Sequence, residues 1–321
     1  MILSQPYNIY VSSCTESGGI YHFKSDGNGS IELKNKYNLD RPMYIIADDN
    51  ILYCLMREAF EDGTSGLVSY EIAKDGSLKE RSMPQSTKGV CACHLCKAGE
   101  NVYCVNYLSG SVIKMPDTMA VHSGKGKDEK RQEAPHTHFV SPSPDGEYIF
   151  VTDLGLDKIF VYDKNLNEVS KVSVPEGHGP RHLAFGPDGK TVYCANELKS
   201  TVSVLEYSNG RLELKNTYGI LPKDFKGEST AAAIRYCGGK IFVSNRGHNS
   251  ISVLAEQSGI LKPEQTIPSG GADPRDFWVD DEVLICTNQT GNNVTVISRK
   301  DESLLFEFKI DAPISVYCTK G

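Results

Sequence analysis

The sequence is poor in three features that would place it in familiar protein classes: tryptophan, long apolar runs and basic charge. Trp278 is the only tryptophan, so a repeat array that needs a Trp-Asp pair in every unit is excluded. No apolar run approaches the roughly 18 residues of a membrane span, and the start MILSQPYNIYV lacks the basic region and apolar core of a signal peptide. The 34 Lys and Arg against 41 Asp and Glu leave a net charge of −7, without the basic stripe that nucleic acid requires. We therefore expect a cytoplasmic protein with no membrane or nucleic-acid partner.

The ten cysteines do not have the arrangement of a disulfide framework. Many of them lie in strand-like runs such as LYCL, VYCV and VYCA, where a reduced cysteine packs as a small apolar residue. Cys91, Cys93, His94 and Cys96 have the spacing of zinc ligands, but the sequence offers no clear second ligand pair. Core packing is the interpretation we favour for this cluster.

A short pattern recurs along the whole chain: an aromatic residue or Ile, then Val or Cys, then a small residue, then a polar one. The copies begin at Tyr10, Tyr53, Tyr103, Phe150, Tyr193, Phe242 and Ile285, which are 43 to 50 residues apart. A second alternating run follows each copy, as GIYHF follows the first and NNVTVIS the last, so each copy predicts a hairpin. This period is typical of four-stranded propeller blades.

The predicted fold is therefore all-β: one seven-bladed β-propeller domain over residues 1–321, with four-stranded antiparallel blades. The chain starts at a second strand, YNIYVSS, and ends with an unpaired inner strand, PISVYCTKG. We expect this last strand to complete the first blade and close the ring, which removes exposed sheet edges.

Alignment of the inner strands brings charged residues to one position, at the start of the strand that lines the predicted channel. The aligned residues are Arg41, Cys91, His138, Arg181, Thr230, Arg275 and Ile314. Because the second strand of each blade returns to the same face, Glu197 and Arg246 should lie on this rim as well. Several arginines on one rim favour a small anionic ligand, since guanidinium groups bind phosphate and carboxylate in bidentate fashion.

Other interpretations of this rim remain open. Glu197 could pair with Arg181 or Arg246 only to hold loops together. His136 and His138 could form a metal pair, but a third ligand is not evident and neighbouring arginines would repel a cation, so we predict no metal and no cofactor. Asp153 and Asp157 are interpreted as turn caps. The charged insertion at residues 121–135 leads directly to His136.

Several long motifs in order resemble the seven-bladed propeller lactonase family, which includes 6-phosphogluconolactonases and the carboxymuconate lactonizing enzyme. They are RQEAPHTH, VTDLGLDKIFVYD, GHGPRHLAFGPDGKTVYCANEL, IFVSNRGHNSI and ADPRDF. The resemblance implies lactone chemistry at His138, Arg181, Glu197 and Arg246, with substrate contacts from His136, His182, Arg275 and Arg41. Where family members often have an acidic residue, this chain has Ala231-Ala232-Ala233-Ile234.

The resemblance implies hydrolysis of 6-phosphogluconolactone, a small anionic sugar lactone, in carbohydrate metabolism through the pentose phosphate pathway. Arginines would bind the phosphate and the oxyanion, and His138 or Glu197 would be the general base. A carboxylate among arginines is a weak base, which favours His138. The alternatives are a muconate-type cycloisomerase and a non-catalytic propeller that binds a partner through its rim. We expect a monomer or a weak homo-oligomer.

Overall fold

The structure is a computed structural model and describes residues 5–257 and 260–320. The chain divides into two compact units, one formed by residues 1–86 and 268–321 and the other by residues 87–267, and each is described by itself. Within the described ranges the only helical segment is the 3-10 turn Leu154–Leu156. No helix in this part of the chain has the length and apolar character needed to cross a membrane.

The first unit contains three antiparallel sheets, with strands numbered in chain order. One sheet has the order β29-β1-β2-β3, with the ranges Pro313–Lys320, Tyr7–Ser13, Gly19–Ser25 and Ile31–Asn38. A second consists of β4 to β7, Pro42–Asp48, Ile51–Met56, Gly66–Ile72 and Leu78–Glu80, and the short β8, Gln85–Ser86, also pairs with β6. The third consists of β25 to β28, Pro274–Val279, Val283–Asn288, Asn293–Ser298 and Leu304–Lys309.

The second unit contains four sheets of four strands each. Strands β9 to β12 span Ala92–Ala98, Asn101–Asn106, Ser111–Lys114 and Thr118–Val121. Strands β13 to β16 span Thr137–Pro142, Ile149–Asp153, Lys158–Tyr162 and Glu168–Ser173. Strands β17 to β20 span Pro180–Phe185, Thr191–Asn196, Thr201–Ser208 and Arg211–Gly219. Strands β21 to β24 span Thr230–Cys237, Lys240–Arg246, Ser250–Gln257 and Ile260–Pro268.

The recurring sequence pattern marks the second strand of each sheet. Strands β1 and β26 are buried along their whole length, whereas the outer strand β3 is mostly exposed. In the second unit, Phe139, Phe150, Leu183 and Cys194 belong to one apolar cluster, shared by the sheets β13 to β16 and β17 to β20. Burial on both faces explains why the second strands are continuous apolar runs rather than alternating ones.

Each of the seven inner strands carries one extra residue near its start, as a β-bulge or an equivalent irregularity. The extra residues are Met43, Cys93, His138, Arg181, Arg275, Ile314 and one of Ala232 and Ala233. A bulge bends the strand locally and redirects a side chain, and bulges are frequent beside active sites. His138, Arg181 and Arg275 therefore occupy equivalent positions, as the sequence alignment predicts.

The pairing of the inner strands with the second strands also shows that the sequence alignment of the inner strands is wrong for three sheets. Arg41 and Cys91 precede their strands, with φ of 43° and 59°, and correspond to Gly179, whose φ is 65°. Thr230 pairs with Arg246, before the bulge of its strand. For Arg41 the cause is the position of a neighbouring proline. Pro42 and Pro180 both pair with the last residue of the next strand, but an arginine precedes Pro42 and follows Pro180.

Candidate active site

Glu197 is the centre of a charged cluster in the second unit. It directly follows β18, and its backbone N–H donates to the carbonyl of Gly179 over 2.7 Å. Its Oε1 accepts a hydrogen bond from Arg131 Nη2 at 2.5 Å. Its Oε2 accepts one from Arg181 Nε at 3.0 Å and contacts Arg246 Nη2 at 2.9 Å. One buried carboxylate thus joins three guanidinium groups.

Each arginine comes from a different part of the unit. Arg181 is the bulge residue of β17, Arg246 is the last residue of β22, and Arg131 lies in the connection between β12 and β13. The turn before Arg181 is fixed by Asp157, whose two carboxylate oxygens accept from the N–H groups of Gly177 and Gly179, each at 2.7 Å. Asp157 thus has the turn-holding role that the sequence predicts.

The arginines determine the charge state of Glu197. Burial by itself raises the pKa of this carboxyl group. The positive charges of Arg246, Arg181 and Arg131 outweigh burial and hold the pKa well below the ordinary value of a glutamate. Glu197 is therefore ionised at neutral pH, and a carboxylate stabilised in this way is a poor proton acceptor.

His138 is the bulge residue of β13 and lies beside this cluster. Its ring is edge-on to Tyr107, with centroids 5.6 Å apart, and edge-on to His182, with centroids 5.3 Å apart. The Sγ of Cys93 contacts the His138 carbonyl at 3.5 Å. The imidazole is largely buried and lies near enough to Glu197 to interact electrostatically with its carboxylate.

His136 has a different environment from His138. Its ring stacks on Tyr107 at 4.4 Å with an angle of 8° between the planes, and its Nε2 lies 3.2 Å from Glu133 Oε1. Its backbone N–H donates to Asp153 Oδ1 at 2.8 Å. Asp153 also accepts from the N–H of Leu156, so it caps the 3-10 turn as predicted. These contacts hold the start of β13, which carries His138.

His182 is placed deeper than a substrate-binding role suggests. It is buried, with its ring centroid 5.1 Å from that of His94. Burial lowers its pKa well below the ordinary value, and the positive charge of Arg181 lowers it further. His182 is therefore neutral and packs beside His138, and its predicted contact with substrate stays a prediction.

Arg41 and Arg275 belong to the first unit and are described there alone. Arg41 Nη2 donates to Glu16 Oε1 at 2.5 Å, and its Nη1 donates to Asp40 Oδ2 at 2.9 Å. Arg275 Nη1 donates to Gln289 Oε1 at 3.3 Å. The predicted substrate contacts of both arginines stay predictions.

The sequence analysis missed two residues of the cluster, Arg131 and Tyr107. Arg131 is the first residue of the motif RQEAPHTH, and this was a signal that could have directed attention to it. Burial raises the pKa of Tyr107, and a side-chain hydrogen bond with Arg131 lowers it, with a net pKa above the ordinary value. The phenol is thus a neutral hydrogen-bonding partner at the edge of the cluster.

No metal-binding group of three or more His, Cys, Asp and Glu side chains occurs within residues 5–257 and 260–320. Cys91, Cys93 and Cys96 are buried free thiols, and His94 packs against Phe139 with centroids 4.2 Å apart. The core-packing interpretation of this cysteine cluster agrees with these positions.

Residues 8–315 match the sequence profile of the family described as Lactonase, 7-bladed beta-propeller. The chain therefore belongs to this lactonase family. Its seven sheets are the predicted blades, and β29 completes the first of them by pairing with β1, as predicted.

Relatives and solved structures agree with this assignment. An uncharacterized protein of Staphylococcus aureus is 32% identical in an alignment of 324 positions, gaps included, that covers 92% of this chain and 94% of the relative. The periplasmic gluconolactonase of Pseudomonas aeruginosa is 26% identical, with a TM-score of 0.87 and coverage of 98% of this chain and 99% of that one. A Bacteroides uniformis protein described as a candidate 6-phosphogluconolactonase is 25% identical, with a TM-score of 0.87 and coverage of 98% and 100%.

Proposed function

We propose that the protein hydrolyses 6-phosphogluconolactone to 6-phosphogluconate, the step between the two oxidations of the oxidative pentose phosphate pathway. The observation that carries this proposal is the set of three arginines on the single carboxylate of Glu197, beside His138. Three positive charges on one negative charge leave an excess that favours an anionic ligand. Membership of the lactonase family and the likeness to a gluconolactonase support a sugar lactone.

In this proposal the imidazole of His138 is the general base. It removes a proton from a water molecule while the water oxygen attacks the carbonyl carbon of the lactone. The resulting tetrahedral intermediate then collapses, the bond between the carbonyl carbon and the ring oxygen breaks, and the imidazolium returns its proton to the leaving oxygen. The product is the open-chain hydroxy acid, and His138 is regenerated.

Glu197 has a positioning role in this mechanism. Both of its oxygens already accept hydrogen bonds from arginines, and the surrounding charges hold its pKa well below the ordinary value, although burial raises it. It therefore stays ionised throughout the reaction. Its function is to hold Arg181 and Arg246 in fixed orientations, so that their charges are in place before the reaction begins.

Arg246 is the residue best suited to stabilise the developing oxyanion. Its Nη2 contacts Glu197 Oε2 at 2.9 Å, while its buried Nε makes no hydrogen bond with the described residues. A charged donor that still has an N–H available can bind the oxygen that becomes negative in the transition state.

The proposal is tested by the opening of freshly prepared 6-phosphogluconolactone with micromolar protein, measured against the spontaneous rate. We expect a clear acceleration. A rate equal to the spontaneous one would overturn the proposal. In that case, turnover of a muconate-type lactone would assign a cycloisomerase, and inactivity on lactones and muconates alike would favour a propeller that binds a partner without catalysis.

A further inference from the structure

The segment 121–135 is a folded part of the second unit. At its start, His122 Nδ1 lies 2.5 Å from Asp153 Oδ2, and His122 Nε2 lies 2.7 Å from the hydroxyl of Tyr162. Near its end, Gln132 is fully buried and donates from Nε2 to the carbonyl of Leu154 over 2.8 Å. Both ends of the segment are therefore attached to the sheet of β13 to β16.

The turn that carries Arg131 is also fixed. Asp128 Oδ1 accepts from the backbone N–H groups of Lys130 and Arg131 at 2.9 and 3.1 Å. Gln132 Oε1 accepts from those of Lys127 and Asp128 at 3.1 and 3.0 Å. The fixed backbone together with the contact between Arg131 Nη2 and Glu197 Oε1 orients the guanidinium, which reduces the entropy lost when a ligand binds.

Arg131 is the most accessible of the three arginines on Glu197. Its side chain is 42% exposed, compared with 15% for Arg246 and 3% for Arg181. A guanidinium has five N–H donors. Arg131 uses one of them, on Nη2, for Glu197 Oε1 and another for the side chain of Tyr107, which leaves three. Arg131 therefore combines a fixed position with donors that a ligand can reach, whereas Arg181 is enclosed.

We propose that Arg131, presented by the segment 121–135, binds the anionic substituent of the substrate, which is the phosphate of a phosphorylated sugar lactone. This inference rests on the function proposed above and deepens it. The roles of the three arginines then differ: Arg181 forms the buried pair with Glu197, Arg246 stabilises the oxyanion, and Arg131 selects a phosphorylated substrate. A bidentate contact between guanidinium and phosphate explains why arginine suits this position.

The test compares Arg131→Gln and Arg131→Lys with the wild type. Dissociation constants for 6-phosphogluconate and for gluconate are measured by titration calorimetry, and KM and kcat are measured for the two corresponding lactones. We expect Arg131→Gln to weaken 6-phosphogluconate binding by about tenfold or more and gluconate binding much less. Arg131→Lys, which keeps the charge but loses the planar fork, should give a smaller loss. KM for the phosphorylated lactone should rise with little change in kcat.

Lys130→Gln is the matched control, because it removes one positive charge from an exposed neighbour in the same segment. It should leave both dissociation constants unchanged. Equal weakening of both ligands by Arg131→Gln, unchanged binding of 6-phosphogluconate, or a wild type that binds neither ligand would overturn the inference. If the wild type opens no lactone but Arg131→Gln still weakens 6-phosphogluconate binding as expected, the proposed reaction is refuted and the role of Arg131 in binding is supported.

Discussion

Arg181 Nε donates to Glu197 Oε2 over 3.0 Å, and both side chains are almost entirely buried, with 3% and 4% of their surfaces exposed. Removal of one partner from such a pair leaves the other charge buried without compensation, which is far more costly than the loss of a surface ion pair. The pair therefore links the stability of the second unit to the geometry of its candidate site.

Glu197→Gln should lower the free energy of unfolding by about 3 kcal/mol or more at neutral pH. The pKa of Glu197 is raised by burial but lowered more strongly by Arg246 and Arg181, and the net shift is downward. A carboxyl group with a lowered pKa stabilises the folded state above its unfolded pKa and loses this effect as pH falls. The difference between wild type and variant should thus be constant above about pH 5 and shrink in more acidic solution.

The measurement is urea denaturation of both proteins from pH 7 to pH 3. Glu129→Gln, a change at an exposed carboxylate in the segment 121–135, is the control and should change stability little at any pH. A stability difference between wild type and Glu197→Gln that grows toward acid pH would contradict the proposed ionisation state.

His94→Gln should make the protein less sensitive to acid. Burial lowers the pKa of His94 well below the ordinary value, and the charges of Arg235 and Arg181 lower it further. A histidine kept neutral in the folded state stabilises the protein above its unfolded pKa of about 6.5, and this contribution is lost as pH falls below that value. The free energy of unfolding of the variant should therefore decline less between about pH 6.5 and 5.

Glutamine suits this experiment because it does not titrate and keeps an acceptor for the N–H of Val140, which lies 3.4 Å from His94 Nδ1. The readout is the slope of unfolding free energy against pH, obtained from urea titrations. Equal slopes in the two proteins would mean that His94 has the same pKa in the folded and unfolded states, which would contradict the lowered pKa.

Arg246→Lys should lower kcat by about 10- to 100-fold on both 6-phosphogluconolactone and gluconolactone, with little change in KM. Lysine keeps a positive charge near Glu197 but lacks an Nε donor. In the wild type, Arg246 Nε makes no hydrogen bond with the described residues, so this donor is available to the substrate. Steady-state kinetics on the two lactones provide the comparison. A loss confined to the phosphorylated substrate would place Arg246 at the phosphate.

The number and composition of the blades could be predicted from the sequence because the buried second strands repeat every 43 to 50 residues. Which residues of the inner strands occupy equivalent positions in the different blades could be predicted only in part. The alignment of the inner strands matches Arg41 to Arg181, whereas alignment by the neighbouring prolines matches Met43 to Arg181, as the strand register shows.

Within the site, the topology of the blades predicts that Glu197 lies near Arg181 and Arg246, and the structure shows both contacts. The contact between Arg131 and Glu197 could not be predicted, because the two residues are 66 positions apart and Arg131 lies outside the repeat. Its position depends on a turn fixed by the side chains of Asp128 and Gln132, which no periodic pattern reveals.

The most direct test of the account compares His138→Gln with His136→Gln in steady-state hydrolysis of 6-phosphogluconolactone across a range of pH. If His138 is the base, its variant should lose turnover by roughly 10²-fold or more with little change in KM, and the fall in activity toward acid pH should disappear. His136→Gln, a matched change two residues away, should cost much less. Near-normal turnover in His138→Gln, together with a severe loss and an altered pH profile in Glu197→Gln, would assign the base to Glu197 and contradict the account.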